Sequence, residues 1–176
     1  MSSIDYSITS AIYGFSRNYF FDALAVFFDY FIYVLPVLLF IAFIFCRRKE
    51  PAVMSLVGAG FTFLISSAVK MVVQRPRPFH TGLLENLISA SGYSFPSHHV
   101  GIAVCVAVVL SAYSSKNKIL LYLTAFLISL SRIYAGVHYF SDVVFAMILG
   151  FVIGKVLITR KTRIYLWLKK KTNIKS

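Results

Sequence analysis

Apolar residues in this chain come in long runs, and polar residues are gathered into short breaks between them. Five runs, roughly 23–46, 52–73, 97–115, 118–136 and 139–159, approach the about 20 mostly apolar residues that a helix needs to cross a bilayer core. They predict five transmembrane helices, with a kink at Pro36 in the first, because proline removes a backbone donor and crowds the preceding turn. Residues 4–21 read differently. Ile4, Ile8, Ile12, Phe15 and Tyr19 recur at helical spacing, while Asp5, Ser7, Thr9, Ser16, Arg17 and Asn18 occupy the other faces, which predicts a helix lying in the membrane interface. No internal repeat or low-complexity linker divides the chain, so residues 1–176 read as one domain. The expected fold is all-α: a polytopic membrane helix bundle of about five spans plus an N-terminal interfacial helix.

Composition narrows the class. At 59% hydrophobic and 14% charged, with a mean hydropathy of +0.78, the chain is too apolar for an ordinary soluble domain. Met1-Ser2-Ser3-Ile4-Asp5 has no basic leader or small-residue cleavage site, so the first span is expected to direct insertion. Cys46 and Cys105 fall at different depths, which argues for packing roles over a disulfide. Under the five-span reading, thirteen of the 18 Lys and Arg fall on one side: Arg47, Arg48, Lys49, Lys116, Lys118, Lys155, Arg160, Lys161, Arg163, Lys169, Lys170, Lys171 and Lys175. By the positive-inside rule that side, with the C-terminus, is cytoplasmic, and the expected location is the plasma or inner membrane. The net charge of +12 is then mostly a topology signal and a tail facing anionic lipid, so membrane lipids are expected partners and nucleic acid is not.

The remaining basic residues, Arg17, Lys70, Arg75, Arg77 and Arg132, fall on the opposite side, four of them in or beside three polar clusters. Ionisable residues near hydrocarbon are costly and default to a functional reading. Lys70 and Arg77 have bland alternatives, snorkelling and an ordinary loop charge. Yet Gln74-Arg75-Pro76-Arg77-Pro78 must end a helix abruptly and hold a planar guanidinium at a fixed distance from an ammonium, a combination suited to phosphate. Pro96 and Ser97 are ordinary first-turn residues, but capping does not account for His98 and His99. A helix N-terminus attracts anions, and a histidine beside it can protonate a leaving oxygen. Zinc or iron is the competing reading; adjacent residues on a helix diverge, and no Glu or Cys joins them, so no metal is expected.

In the third cluster, Ser131-Arg132 precedes His138 and Asp142. The last two are four apart and share a face if Asp142 lies in the first turns of the final span. A carboxylate on one ring nitrogen fixes the tautomer and leaves the other free to attack or to take a proton. Ala135-Gly136 is expected to turn the chain so that Arg132 and His138 meet. The alternative is a buried pair that ties two spans together.

Together these residues resemble a family. Lys70, six residues, Arg77-Pro78; Pro96-Ser97-x-His99; and Ser131-Arg132, five residues, His138, three residues, Asp142 are similar, in order and spacing, to the three-part signature of the type-2 phosphatidic acid phosphatase superfamily, which also includes vanadium haloperoxidases. The resemblance implies a core helical bundle and a metal-independent, cofactor-free phosphatase mechanism through phosphohistidine. It implies His138 as nucleophile, Asp142 as its orienting group and His99 as general acid, with Lys70, Arg77, Ser97 and Arg132 holding phosphate. His98 departs from the family's usual glycine; it keeps the backbone amide and adds an imidazole that either points away or helps to bind substrate.

The short N-terminal helix, five spans and compact loop also resemble small undecaprenyl-diphosphate phosphatases of the bacitracin-resistance type, which act on the outer face. That implies undecaprenyl diphosphate as substrate, with phosphatidylglycerol phosphate and phosphatidic acid as alternatives, and a non-catalytic lipid-phosphate binder or transporter as the alternative from another class. Leu83, Leu84, Leu87 and Ile88 are expected to form a short apolar helix that touches the lipid tail or acts as a lid. The oligomeric state is left open.

Overall fold

The computed structural model of the chain describes residues 3–15, 17–45, 49–82 and 84–172, without the side chains at 3, 42–44, 161, 162 and 164–172. The expectations placed on Ser16, Cys46, Arg47, Arg48, Leu83 and Lys175, and on the side chains of Lys161, Lys169, Lys170 and Lys171, lie outside the described residues. Six α-helices account for most of the rest: α1 (Ser3–Tyr13), α2 (Tyr19–Phe45), α3 (Glu50–Val73), α4 (His98–Ser111), α5 (Lys118–Tyr134) and α6 (Phe140–Thr172). No strand occurs among the described residues, in agreement with an all-α membrane bundle.

Helices α2, α3 and α6 are long and apolar enough to cross a membrane. The five-span expectation is met only in part by length, because α4 has 14 residues and α5 has 17, short of the about 20 that span a bilayer core. The reason is that α4 is the axis of the bundle. It is wrapped by α3, α5 and α6 and buried on all sides from Val100 to Val109 except at half-buried Ile102, so protein rather than lipid surrounds it. Close approach to α6 depends on glycine: a β-carbon on Gly150 would lie 2.2 Å from the Gly101 carbonyl oxygen. Cys105 is buried beside Met54, Val109 and Leu157, a packing role.

The N-terminal segment is not one helix over 4–21. It turns at Gly14, and α2 starts anew at Tyr19, where the Asn18 side chain accepts the Phe21 N–H at 3.1 Å, an N-cap that the sequence carried in plain view. The faces of α1 also differ from expectation. Asp5 and Thr9 point into the protein and are buried, whereas Ile4 and, just beyond the helix, Phe15 are exposed. The cause lies in α6, whose free first-turn N–H groups these two polar side chains accept.

Alternate running of the helices brings the C-terminal ends of α3 and α5 and the N-terminal ends of α4 and α6 to one end of the bundle. The described basic residues Lys49, Lys116, Lys118, Arg160 and Arg163 lie toward the other end, at or beyond the far ends of α3, α5 and α6. The expected helix around Leu84, Leu87 and Ile88 does not form. Beyond a 3₁₀ turn at Pro78–Thr81 the described loop is irregular, because it is tied down from within: Ile88 packs against Ala135 and Val137, and the Leu87 N–H bonds the Ala135 carbonyl at 3.0 Å.

Candidate active site

A polar cavity of about 240 Å³ opens among these gathered helix ends, lined by Tyr33, Lys70, Arg77, Ser89, Ala90, Ser91, His98, His99, Arg132 and His138. Two of its cations, Arg77 and Lys70, are fixed by backbone carbonyls rather than left to swing. Arg77 Nε donates to Gly92 at 3.0 Å, Nη2 to Ser91 at 2.8 Å and Nη1 to Val137 at 3.0 Å. Lys70 Nζ donates to Tyr93 at 2.6 Å and Ser94 at 3.2 Å. The proline-rich break after α3 thus does as the sequence predicts, and the loop at 91–94 supplies the acceptors that hold both charges at the cavity wall.

His138 lies between α5 and α6, only 2% exposed. Its Nδ1 is 3.4 Å from Asp142 Oδ2, and its Nε2 is 3.4 Å from Arg77 Nη1. Asp142 is fully buried and also accepts the Tyr139 N–H at 2.9 Å, so its carboxylate is aimed by the same turn that presents His138. Burial, reinforced by Arg132, Arg77 and Lys70, pushes the His138 imidazole well below its ordinary pKa of 6.5 and keeps it neutral. With Nδ1–H toward the carboxylate, the Nε2 lone pair faces the cations.

That presentation depends on Gly136. Its φ is +72°, and an added β-carbon would lie 2.4 Å from the Glu85 carbonyl oxygen, so the turn expected at Ala135-Gly136 needs a residue without a side chain. The turn returns Arg132 to the cavity beside His138, as the spacing required.

At the start of α4, Ser97 occupies the N-cap position, yet its Oγ is buried without a hydrogen-bond partner. His98 lines the cavity rather than pointing away: its Nε2 is 3.3 Å from Ser67 Oγ, and its ring packs 4.9 Å from that of Phe63. His99 meets Tyr33 edge-on at 5.3 Å and places Nε2 3.2 Å from Asp29 Oδ1, an ion-pair contact off the hydrogen-bonding direction. Asp29 Oδ1 also accepts a hydrogen bond from Arg132 Nη1, while Arg132 Nε, buried, has no partner.

Of the eight residues singled out in the sequence, six line the cavity; Asp142 stands behind His138, and Ser97 holds the N-cap position of α4 with its N–H toward the Asp142 carbonyl. Three of them, His99, Arg132 and Asp142, touch contributors that sequence reasoning passed over. Asp29 and Tyr33 come from α2, read only as a span. Asp29 is one of six acids in the chain and sits within an apolar run, which was signal enough. Arg75, which the sequence shows only as part of a helix-ending motif, donates to Asp142 Oδ1 at 2.7 Å and to Asp5 Oδ2 at 2.6 Å. Among the described residues no three His, Cys, Asp or Glu side chains cluster as metal ligands.

The sequence profile of the PAP2 superfamily matches residues 51–165. The chain belongs to the PAP2 superfamily. In this PAP2 chain the matched region holds all eight of those residues, whereas Asp5, Asp29 and Tyr33 lie outside it. The chain is similar to the undecaprenyl-diphosphatase BcrC of Bacillus subtilis, 30% identical over 86% of this chain and 81% of the relative. It is also 31% identical to the decaprenylphosphoryl-5-phosphoribose phosphatase of Mycobacterium tuberculosis over 62% of this chain, a match that spans only 61% of the relative's length. The crystal structure of Aquifex aeolicus LpxE superposes with a TM-score of 0.80 at 31% identity, covering 90% of this chain and 96% of that one. The PAP2 fold, with its long apolar helices, makes this a membrane protein.

Proposed function

We propose that the chain is an integral-membrane phosphatase for lipid phosphates that removes the terminal phosphate of undecaprenyl diphosphate by a metal-independent phosphohistidine mechanism on the extracytoplasmic face. One observation carries it: a buried neutral imidazole, backed by a carboxylate, faces a cavity whose walls hold Lys70, Arg77 and Arg132.

In the mechanism, the equatorial oxygens of the phosphoryl group are held by Lys70, Arg77, Arg132, the Ser97 hydroxyl and the first amides of α4, with His98 at the cavity edge. His138 Nε2 attacks the terminal phosphorus in line, the N–P bond forms, and the anhydride P–O bond breaks, with undecaprenyl phosphate as the leaving group. Asp142 takes up the imidazolium charge through Nδ1–H, and His99, in contact with Asp29, gives its proton to the leaving oxygen. Water, deprotonated by His99, then attacks phosphorus, breaks the N–P bond and releases inorganic phosphate. Fixed cations aimed at the transferring group supply the charge stabilisation. A cavity of about 240 Å³ is smaller than the ~300–1,000 Å³ of sites that engulf a whole drug-sized ligand, which suits a headgroup whose chain stays in lipid.

Support for undecaprenyl diphosphate comes from the similarity to BcrC over most of both chains. Support for the outer face comes from the basic residues toward the end of the bundle remote from the cavity. Phosphate release from undecaprenyl diphosphate, phosphatidylglycerol phosphate and phosphatidic acid, compared with purified protein in detergent and chelator, tests the reading. Preference for the diphosphate is expected; preference for either glycerophospholipid would reassign the substrate, and release from none would leave a lipid-phosphate binder.

A further inference from the structure

Behind the cavity, on the side of Asp142 that His138 does not use, a second polar cluster joins α1 to the start of α6. Arg75 stands at its centre. Its Nη1 donates to Asp142 Oδ1 and to Ser141 Oγ, both at 2.7 Å, and its Nη2 donates to Asp5 Oδ2 at 2.6 Å. The guanidinium lies over the Tyr139 ring, 3.9 Å from its centre. Asp5 in turn accepts the Ser141 N–H at 2.9 Å and the Ser141 hydroxyl at 2.8 Å, and Thr9 Oγ1 accepts the Phe140 N–H at 3.0 Å.

Two consequences follow from elementary electrostatics. The first-turn N–H groups of α6 are capped by another helix, so the turn that carries Asp142 is held in place by α1. Asp142 is also fully buried, and a buried carboxylate survives as an anion only with a fixed partner, which Arg75 provides on the oxygen facing away from His138. Asp5 shares that guanidinium, so one cation is divided between two carboxylates and Asp142 keeps negative density for Nδ1–H of His138. Burial opposes charge on Asp5, but the bonds from Arg75 and Ser141 outweigh it and hold its carboxyl below the usual range.

From this geometry we infer that Arg75 and Asp5 are positioning residues for the reaction: together they set the orientation and charge of Asp142, and the N-terminal helix is thereby a structural part of the catalytic centre rather than a peripheral anchor. The inference rests on the phosphohistidine reading above, since it acts through the His138–Asp142 pair. It assigns no substrate contact to either residue, because both lie on the far side of Asp142 from the cavity.

The test compares the full-length wild type with Arg75→Gln, Asp5→Asn and Asp5→Glu in detergent, using farnesyl diphosphate as a probe and following phosphate release. Folded protein is counted by size exclusion and thermal midpoint, so activity is expressed per folded molecule. Arg75→Gln and Asp5→Asn are expected to lower kcat by tenfold or more with KM within twofold, because the phosphate clamp is untouched. Asp5→Glu, which keeps the carboxylate, is expected to retain more of kcat than Asp5→Asn. Specific activity within twofold of wild type in both charge-removing variants, a KM rise that accounts for the whole loss, or equal losses in Asp5→Asn and Asp5→Glu would overturn the inference. Failure of the phosphatase reading is distinct: the wild type itself would release no phosphate, and both proposals would fall together.

Discussion

Arg132 on α5 and Asp29 on α2, separated by 103 residues in sequence, form a buried hydrogen-bonded ion pair at the cavity wall, and the same Asp29 oxygen lies 3.2 Å from His99 Nε2. One carboxylate therefore serves a cation of the clamp and the proposed proton donor. It keeps Arg132 extended toward the cavity and stands as the counter-ion for a protonated His99.

Asp29→Asn should separate these roles by leaving group. An alkyl phosphate needs its leaving oxygen protonated, so its kcat should fall by ~100-fold, within the range of general acid catalysis. An aryl phosphate with a good leaving group should lose less than about threefold. Steady-state kinetics on both substrates check this; equal losses would mean that Asp29 serves only Arg132.

Arg77→Lys should be far from conservative. Lysine keeps one charge but cannot reach the carbonyls of Ser91, Gly92 and Val137 together while offering a fork to phosphate. A loss of kcat/KM of about 100-fold is expected, with at least tenfold weaker inhibition by vanadate, measured by titration of phosphate release.

Much of this centre was legible in the chain. The spacing of Lys70 and Arg77, of Ser97 and His99, and of Arg132, His138 and Asp142 named seven residues that the fold brings to the cavity or directly behind it, and the Ala135-Gly136 turn was anticipated because no unbroken helix could reunite Arg132 with His138. What was missed shares a cause. Asp29, Tyr33 and Asp5 sit in elements whose local pattern says only apolar span or amphipathic helix, and their partners are more than 60 residues away. The faces of α1 were misread because hydrophobic periodicity assumes that the protein side is the apolar side. Here the buried demand came from the N–H groups of α6, which only Asp5 and Thr9 could satisfy. The loop over 84–92 was misread as a helix because four apolar residues looked like a lipid-facing stripe, whereas Ile88 is a core residue.

Gly136→Ala should cost at least about 2 kcal/mol through backbone strain at positive φ and the clash with the Glu85 carbonyl. A lowered thermal midpoint in detergent, together with a fall in activity per folded molecule, is the expected result, since the same turn carries His138.

Stability should also respond to acid through His138. Its folded pKa is depressed by burial and by Arg132, Arg77, Lys70 and His99, with Asp142 on its other side, so the unfolded chain takes up a proton near pH 6.5 while the folded chain does not. Folding free energy is then lost as pH falls below ~6.5, by about 1 kcal/mol per pH unit from this group, until the folded imidazole itself titrates. The thermal midpoint of His138→Gln should decline less between pH 7.5 and 5.5 than that of the wild type.

In the proposed mechanism, His138 carries the phosphoryl group. Rapid acid-free quenching of wild-type protein during turnover of a radiolabelled prenyl diphosphate, followed by peptide mapping, tests it most directly. An acid-labile, alkali-stable phosphoryl group on the peptide containing His138, absent from folded His138→Ala protein that releases no phosphate, is the predicted result. Substantial phosphate release by His138→Ala, or label on a different residue, would contradict it.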